Sequence, residues 1–170
     1  MPSEILNDGL MNIRIGQGID FHKLIRGRQL WLGGINIPSE KGCLAHSDGD
    51  VLIHAVCDAL LGAANLRDIG YHFPNTDNKY RLIDSKILLK ETAERVREKG
   101  FDIINIDSTV CLEEPKLSAY MEKMAEAMAD SCNIDSEQVS VKATTTEKMG
   151  FTGRGEGIIA IASVLLGMKR

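Results

Sequence analysis

Alternating and clustered apolar residues predict several strands along the chain. Residues 13–20, IRIGQGID, form the first, and the apolar patches at Trp31–Leu32 and Ile35–Ile37, joined through Gly33–Gly34, predict a hairpin. The segments VSVKATT and GIIAIASVLL predict two further strands near the C-terminus. The last of them is apolar on both faces, as is typical of an interior strand at a packed interface. The chain therefore begins and ends in β-structure.

The segment FDIINIDSTVCLE, residues 101–113, alternates as a strand does. On this pattern its two faces carry Ile104, Ile106, Ser108 and Val110 on one side and Asn105, Asp107 and Thr109 on the other.

Two helices are predicted between the first and second groups of strands. Residues 50–65 form an apolar helix, for which Ser47 or Asp48 would serve as the N-cap. The second helix runs from about Asp84 to Lys99 and stops at Gly100. The polar stretch RDIGYHFPNTDNKYRL between them has little periodicity.

A third helix is predicted from near Pro115 to near Cys132. Its methionines recur at helical spacing and are expected to fill the core rather than to bind a ligand. These are Met121, Met124 and Met128. The order of strands, two helices, strand, helix and two strands predicts an α+β fold with a mixed β-sheet covered by helices on one face.

Composition indicates one compact domain. The chain has 170 residues, of which 44% are hydrophobic and 26% charged, and no repeat or linker divides it. Residues 1–12 lack a basic segment, so we expect a flexible N-terminal extension rather than a signal peptide, with a single domain over residues 13–170.

Charge, hydropathy and cysteine spacing argue against nucleic-acid binding, a membrane-spanning helix and disulfide bonds. The net charge is −4 and aromatic residues make up 5%, so nucleic acid is not an expected partner. No apolar stretch reaches the roughly 20 residues of a membrane-spanning helix. Four cysteines without a CxxC spacing indicate reduced thiols and a cytoplasmic location. They are Cys43, Cys57, Cys111 and Cys132.

A candidate metal site appears at the end of the first strand. Asp20 and His22 are two residues apart and project to the same side of a strand. With His54 from the apolar helix they give the three N and O ligands of a catalytic zinc site, which leaves a fourth position open. Asp50 and Asp58, four residues on either side of His54, are placed to accept its second ring N–H. The alternative is that Asp20 belongs to a turn and His54 to the core.

A second polar constellation, KATTTEKMGFTGRGEG, occupies residues 142–157. Hydroxyl side chains at a strand end, followed by glycines that let backbone N–H groups approach a ligand, suit phosphate oxygens. The spacing matches neither the Walker pattern nor the dinucleotide fingerprint. A polar hairpin loop is the alternative interpretation.

Four blocks of sequence resemble one known family when taken together and in order. They are RIGQGIDFH, AHSDGDVLIHAVCDALLGAANLRDIGYHFPNTD, EEPK and VKATTTEKMGFTGRGEGI. From about Ile13 to the end, the chain resembles the 2-C-methyl-D-erythritol 2,4-cyclodiphosphate synthases of the non-mevalonate route to isoprenoids. The flap FPNTD departs from the family at Asn75, where many members have aspartate.

The resemblance implies a phosphorus-oxygen lyase. In the family the 2-phosphate of a CDP-linked methylerythritol attacks the β-phosphate, CMP leaves, and a cyclic diphosphate forms. It implies zinc held by Asp20, His22 and His54, and magnesium or manganese held by Glu147. His46 and Thr145 match positions that stabilise the transition state. The positions that match the family's substrate-binding residues are Ser47, Asp68, Ile69, Gly70, Phe73, Pro74, Asn75, Thr76, Asp77, Leu112, Glu113, Glu114, Pro115, Lys116, Leu117, Ser118, Thr144, Thr146, Phe151 and Arg154.

The resemblance also implies a homotrimer with three active sites between subunits. Phe151, Arg154 and Glu156 match positions on the threefold axis, where a mostly apolar cavity can bind an isoprenoid diphosphate. Because the threefold axis would bring three copies of Arg154 together, their like charges would repel. We therefore expect each arginine to pair with Glu156.

Two functions of other classes remain open from the sequence. One is a zinc-dependent phosphoesterase, in which water attacks in place of the substrate phosphate. The other is a non-catalytic module that binds an isoprenoid diphosphate. A cyclic diphosphate or a ring-opened product distinguishes the synthase from the phosphoesterase, and an inactive protein that binds an isoprenoid diphosphate would indicate the module.

Overall fold

The computed structural model describes residues 12–169, which contain seven strands. In chain order the strands are β1 (Ile13–Arg26), β2 (Leu30–Leu32), β3 (Ile35–Ile37), β4 (Lys41–Leu44), β5 (Phe101–Cys111), β6 (Val139–Thr144) and β7 (Gly157–Met168). Five of them form one sheet in the order β4-β1-β7-β5-β6, and β2 and β3 form a separate hairpin. Because β5 and β6 are parallel and the other pairs are antiparallel, the predicted mixed sheet is confirmed.

Five helices accompany the strands. They are α1 (Val51–Ala63), α2 (Ile69–His72), α3 (Ser85–Glu98), α4 (Met121–Cys132) and α5 (Gly150–Gly153), with 3₁₀ turns at Asn78–Tyr80 and Ser136–Gln138. Helix α1 packs on β1 and β7 and is covered in turn by α3, so it is apolar nearly all round. The predicted α+β class is therefore confirmed. Within residues 12–169, no helix has the length and hydropathy needed to cross a membrane.

Two glycines of β1 bring α1 unusually close to the sheet. Gly16 lies beneath Ala59 and Gly18 beneath Ala55, and a Cβ on either glycine would overlap the helix carbonyl oxygen. Only glycine permits this approach of helix backbone to strand backbone. The contact matters for the site because Asp20 and His22 follow on the same face of β1 and His54 precedes Ala55 in α1.

Several predicted boundaries were wrong. The N-cap of α1 is Asp50, whose side chain accepts a hydrogen bond from Ile53 N at 3.0 Å, rather than Ser47 or Asp48. Helix α4 begins at Met121 rather than near Pro115. Leu112 N donates to Thr144 O, which carries the chain past the end of β5 beside β6 before the helix starts.

The alternation predicted for β5 is interrupted by a bulge. The register with β7 shifts between Ile103 and Asn105, so Ile103 is buried and Ile104 is only half-buried. The prediction that Ile104 shares a face with Ile106 was therefore wrong, because a bulge adds one residue to the strand and reverses the faces of the residues before it. Ile106 and Val110 are fully buried and Ser108 nearly so, so these three residues share one face, as predicted.

One face of the sheet carries the helices and the opposite face exposes apolar side chains. Ile15 is 80% exposed and Phe21 58% exposed, and they lie opposite the half-buried Leu165 and Ile159 of β7. The prediction that β7 is apolar on both faces is confirmed. Such an open apolar face is characteristic of a surface that associates with another protein.

The N-terminal extension predicted for residues 1–12 lies outside the described residues except for Asn12. The carbonyl oxygen of Asn12 accepts a hydrogen bond from Met168 N at 3.0 Å, so this residue continues the β1–β7 ladder. The four cysteines are free, as predicted, and Cys43, Cys57 and Cys132 are buried whereas Cys111 is half-buried. Burial raises the pKa of the Cys43 and Cys132 thiols to about 12.

Candidate functional site

Asp20, His22 and His54 meet at the junction of β1 and α1. One ligand atom from each residue lies within 4.8 Å of the others. Nδ1 of His54 is 3.1 Å from Oδ2 of Asp20, and Nδ1 of His22 is 3.2 Å from the same oxygen. The period of the strand places Asp20 and His22 on the α1 side, and the glycine contacts described above bring His54 over them. The three residues that the sequence singled out therefore form one cluster.

The cluster is electrostatically organised around the carboxylate. Burial by itself would raise the pKa of Asp20, but the neighbouring imidazoles outweigh it and hold that pKa well below its usual range. Burial would lower the pKa of His54, but the hydrogen bond and the charge of Asp20 raise it. The site thus favours an ionised carboxylate facing two imidazoles.

The donor set fits a divalent metal ion. Nδ1 of His22 is buried and, although it lies 3.2 Å from Oδ2 of Asp20, it makes no hydrogen bond of acceptable geometry among the described residues, so a metal ion would satisfy this nitrogen. Two imidazoles and one carboxylate are borderline ligands that transition metals such as zinc accept, and three protein ligands leave a coordination position for substrate or water.

The carboxylates expected to orient His54 have other partners. Asp50 accepts from Gly33 N at 3.0 Å and Gly34 N at 2.6 Å, and so fastens the β2–β3 turn to α1. Asp58 accepts from Ile69 N at 2.7 Å and holds the start of α2. The prediction that either receives an N–H of His54 was wrong, because helix capping and turn closure use both carboxylates.

Two serines face the second nitrogen of His54 instead. Nε2 lies 3.0 Å from Oγ of Ser85 and 3.3 Å from Oγ of Ser47. Ser85 begins α3, 31 residues beyond His54, and sequence analysis missed it. No spacing pattern could have found it, because only the packing of α3 against α1 brings the two residues together.

A cleft of about 550 Å³ opens beside the cluster. Its lining includes ten of the positions predicted from sequence: His22, His46, Ser47, His54, Ile69, Gly70, Phe73, Pro74, Asn75 and Thr76. Four further lining residues were not predicted: Ala45, Tyr80, Ile83 and Leu88. Nε2 of His46 is buried and has no partner among residues 12–169, which leaves a polar atom available to a ligand.

Asp68 and Asp77 flank this cleft in sequence and do not line it. Asp68 caps α2 by accepting from Tyr71 N at 2.9 Å, and Asp77 caps the following 3₁₀ turn by accepting from Lys79 N at 2.9 Å. Both residues are exposed, and each carboxylate keeps a second oxygen that makes no hydrogen bond within the described chain.

A second pocket of about 210 Å³ lies where the ends of β5 and β6 meet the start of α4. It gathers seven predicted positions that two separate segments contribute: Leu112, Pro115, Lys116, Leu117, Ser118, Thr144 and Thr145. Met121 and Ala143 complete its lining. This pocket shares no residue with the cleft beside His54, so a single chain presents the two halves of the predicted site separately.

Glu113 fastens the loop that follows β6. Its Oε1 accepts from Thr146 N at 3.0 Å and Lys148 N at 3.1 Å, and its Oε2 pairs with Lys148 Nζ at 3.0 Å. The hydrogen bond from the Lys148 side chain, supported by the backbone N–H groups, lowers the pKa of Glu113 to about 2. Glu113, Glu114 and Arg154 also line a separate cleft of about 400 Å³.

The loop presents Glu147 outward. Glu147 and Lys148 have φ values of 52° and 67°, a left-handed conformation that is uncommon for residues with a side chain. The carboxylate of Glu147 accepts from Thr145 Oγ1 at 2.8 Å. Glu147 is exposed, and its second carboxylate oxygen makes no hydrogen bond among the described residues. A single exposed carboxylate of this kind could hold a cation that phosphate oxygens also ligate.

Arg154 and Glu156 form a two-pronged ion pair beside the open face of the sheet. Nε and Nη2 of the guanidinium lie 2.9 and 3.0 Å from the two carboxylate oxygens. Phe151 stands against Phe21 of β1 with the ring centroids 6.4 Å apart. Both charged side chains are more than half exposed, so the pair faces solvent in the isolated chain.

A family model and individual relatives both show which known proteins this chain is similar to. The model of the YgbB family matches residues 13–167. A protein of Bacteroides thetaiotaomicron named 2-C-methyl-D-erythritol 2,4-cyclodiphosphate synthase is 61% identical over 156 residues, which cover 92% of this chain and 98% of that protein. The corresponding protein of Cytophaga hutchinsonii is 52% identical over the same share of each chain.

Solved structures agree with the sequence comparison. The bifunctional IspDF of Campylobacter jejuni superposes with a TM-score of 0.90 and 45% identity, covering 94% of this chain and 43% of that larger one. The CDP complex of IspF from Plasmodium falciparum superposes with a TM-score of 0.82 and 36% identity, covering 95% of this chain and 99% of that one.

Proposed function

The chain belongs to the YgbB family, and we propose that it is an enzyme that forms 2-C-methyl-D-erythritol 2,4-cyclodiphosphate and CMP from 4-diphosphocytidyl-2-C-methyl-D-erythritol 2-phosphate. The observation that carries the proposal is the cluster of Asp20, His22 and His54 beside a cleft lined by ten predicted positions. The high identity to proteins named as this synthase supports the same substrate.

The reaction requires positioning more than acid–base chemistry. An oxygen of the 2-phosphate, already ionised at neutral pH, forms a bond to the β-phosphorus. The bond from that phosphorus to the oxygen bridging to the α-phosphate breaks, and CMP leaves with the electron pair. The protein must hold the attacking and leaving oxygens in line and stabilise charge in the transition state. We assign that role to His46 and Thr145; the unpartnered Nε2 of His46 and the position of Thr145 in the lining of the second pocket support the assignment.

Two metal ions complete the proposed site. Asp20, His22 and His54 would hold zinc, which as a Lewis acid supplies polarisation of the β-phosphate. Glu147 would hold magnesium or manganese, which supplies charge neutralisation at the α- and β-phosphates. Ser47 and Asn75 line the cleft, where they would contact the phosphate and the methylerythritol, respectively.

The assembly is proposed to be a homotrimer. Two observations support it: the cleft beside His54 and the pocket around Lys116 share no residue, and one sheet face exposes apolar side chains. Packing of that face against other copies would bury the apolar side chains and join the cleft of one subunit to the pocket of the next. The proposed central cavity, with Phe151, Arg154 and Glu156 at its entrance, would then accept an isoprenoid diphosphate.

The decisive experiment is incubation of the purified protein with the CDP-linked 2-phosphate, zinc and magnesium. We expect release of CMP in equal amount to the cyclic diphosphate, identified by ³¹P NMR. A ring-opened phosphate product would instead indicate a zinc phosphoesterase. Absence of turnover together with binding of an isoprenoid diphosphate would indicate a binding module.

A further inference from the structure

The two ring nitrogens of His54 have different surroundings. Nδ1 faces Asp20 within the metal cluster, whereas Nε2 points away from it toward Oγ of Ser85 at 3.0 Å. A neutral imidazole carries one proton, and the nitrogen that lacks it is the one that can bind a metal ion. The partner of Nε2 therefore decides whether Nδ1 is available as a ligand.

Asp48 fixes the direction of the Ser85 hydroxyl. Its Oδ2 accepts from Ser85 N at 2.8 Å, and its Oδ1 lies 2.5 Å from Ser85 Oγ. An ionised carboxylate only accepts hydrogen bonds, so the hydroxyl must donate its single proton to Asp48. Only lone pairs of Oγ then remain for His54. In the contact between Ser85 and His54, Nε2–H must be the donor.

We propose that Ser85, held by Asp48, is a positioning residue that keeps the proton of His54 on Nε2 and leaves Nδ1 free for the metal ion. This inference rests on the proposed metal centre and extends it to two residues outside the ligand set. Ser85 is fully buried at the first turn of α3, so its hydroxyl is shielded from bulk water. Partners of this kind orient metal-bound imidazoles and strengthen their binding.

The same geometry gives Ser47 a separate role. Its Oγ lies 3.3 Å from Nε2 and accepts from Gly49 N at 3.2 Å. Because Nε2 is a donor, it cannot accept the hydroxyl proton of Ser47. That proton is free to point into the cleft that Ser47 lines, where a phosphate oxygen would accept it. Of the two serines beside His54, Ser85 therefore orients the imidazole and Ser47 faces the ligand.

The first test measures zinc affinity of the purified protein by competition with a chromophoric chelator. Ser85→Ala removes the hydroxyl with little change in volume, and we expect zinc to bind about 10- to 100-fold more weakly. Ser131→Ala is the matched control, because the Ser131 hydroxyl donates to Ala127 O on α4, away from the cluster. Thermal melting of both variants without metal checks that each is folded.

The second test determines by NMR which ring nitrogen of His54 carries the proton. In the zinc-loaded protein labelled with ¹⁵N, two-bond ¹H–¹⁵N correlations should show the proton of His54 on Nε2, and its exchange with water should be faster in Ser85→Ala. Asp48→Asn is a second variant, because Ser85 N–H and Ser85 Oγ–H donate to different oxygens of Asp48, and the amide replaces one of these acceptors with an NH₂ group. We expect it also to weaken zinc binding.

The results of the two tests distinguish a positioning role of Asp48 and Ser85 from a merely structural one. If both variants melt at lower temperature but keep wild-type zinc affinity and a slowly exchanging Nε2–H, Asp48 and Ser85 only fasten α3, and the proposal is wrong. A proton on Nδ1 in the zinc-loaded wild type would also overturn it. Wild-type protein that binds no zinc would overturn the metal centre itself, a failure recognisable before any variant is made.

Discussion

Gly18 of β1 lies directly against the carbonyl oxygen of Ala55 in α1, so closely that a Cβ at position 18 would overlap that oxygen. Ala55 is the neighbour of His54, and Asp20 is two residues beyond Gly18 on the same face of the strand. The separation of β1 and α1 at this point therefore sets the distance of 3.1 Å between Nδ1 of His54 and Oδ2 of Asp20. A packing contact between two small residues controls the geometry of the candidate metal centre.

Gly18→Ala should weaken both the fold and the site. Forcing a methyl group into this contact should cost about 1–3 kcal/mol of unfolding free energy and move His54 away from Asp20. Urea unfolding and zinc titration measure the two effects. Gly62→Ala, in the same helix with open space around it, is the control and should be neutral or stabilising by up to about 1 kcal/mol. Unchanged zinc affinity in Gly18→Ala would contradict this account.

The protein as purified should carry about one zinc ion per chain in an open tetrahedral site. Asp20→Ala and His54→Ala should each lose most of this metal, because two remaining ligands bind zinc weakly. Metal analysis after gel filtration measures the content. His72→Ala is the control, since His72 Nε2 bonds to Leu66 O outside the cluster. The assignment is wrong if both ligand variants retain full zinc and full activity.

Glu147→Gln should keep zinc and lose most turnover. The substitution removes the charge of the exposed carboxylate while leaving Asp20, His22 and His54 untouched. Raised magnesium or manganese should restore part of the rate, because mass action offsets weaker binding. Turnover against metal concentration is the measurement, with Glu94→Gln on the exposed side of α3 as the control. Wild-type turnover of Glu147→Gln at low magnesium would contradict the role.

Glu113 should stabilise the loop after β6 in a pH-dependent way. Its pKa is lowered from 4.5 to about 2, so its stabilising effect is complete above about pH 4.5 and is lost as the pH falls toward 2. Glu113→Gln should therefore be less stable than wild type at pH 7, and the difference should shrink below pH 4.5. Urea unfolding across pH measures it, with the exposed Glu126→Gln as the control. A difference independent of pH would show that the charge is not responsible.

Arg154→Ala should leave the chemistry intact and weaken the proposed trimer or its cavity. The guanidinium matches phosphate oxygens and forms a two-pronged pair with Glu156. In the proposed trimer, its loss would remove a group that binds diphosphate and would leave three unpaired carboxylates near the threefold axis. Sedimentation, thermal melting with and without geranyl diphosphate, and turnover are measured on the one variant. Arg26→Ala, whose side chain is 81% exposed, is the control. The alternative is an exposed surface ion pair that contributes little to stability, and an unchanged trimer, melting point and ligand response would support it.

Local pattern was sufficient for much of the fold and for the ligand set. The period of two placed Asp20 and His22 on one face, and the apolar run from Val51 supplied a helix that carries His54. These features depend on residues close together in the chain, where backbone geometry fixes which side chains share a side. These local rules identify strands and helices but do not say where each one ends, so the elements were predicted better than their boundaries.

Only the tertiary structure decided the partners of the polar groups. Sequence assigned Asp50 to His54, because they are one helical turn apart, but Asp50 caps α1 and holds Gly33 and Gly34, and Ser85 lies beside His54. A buried polar group bonds to whatever the packing of other elements brings within about 3 Å, whatever its distance along the chain. The contacts of Gly18 under α1 and of Ser85 against α1 are set by how whole elements pack, and no local periodicity records them.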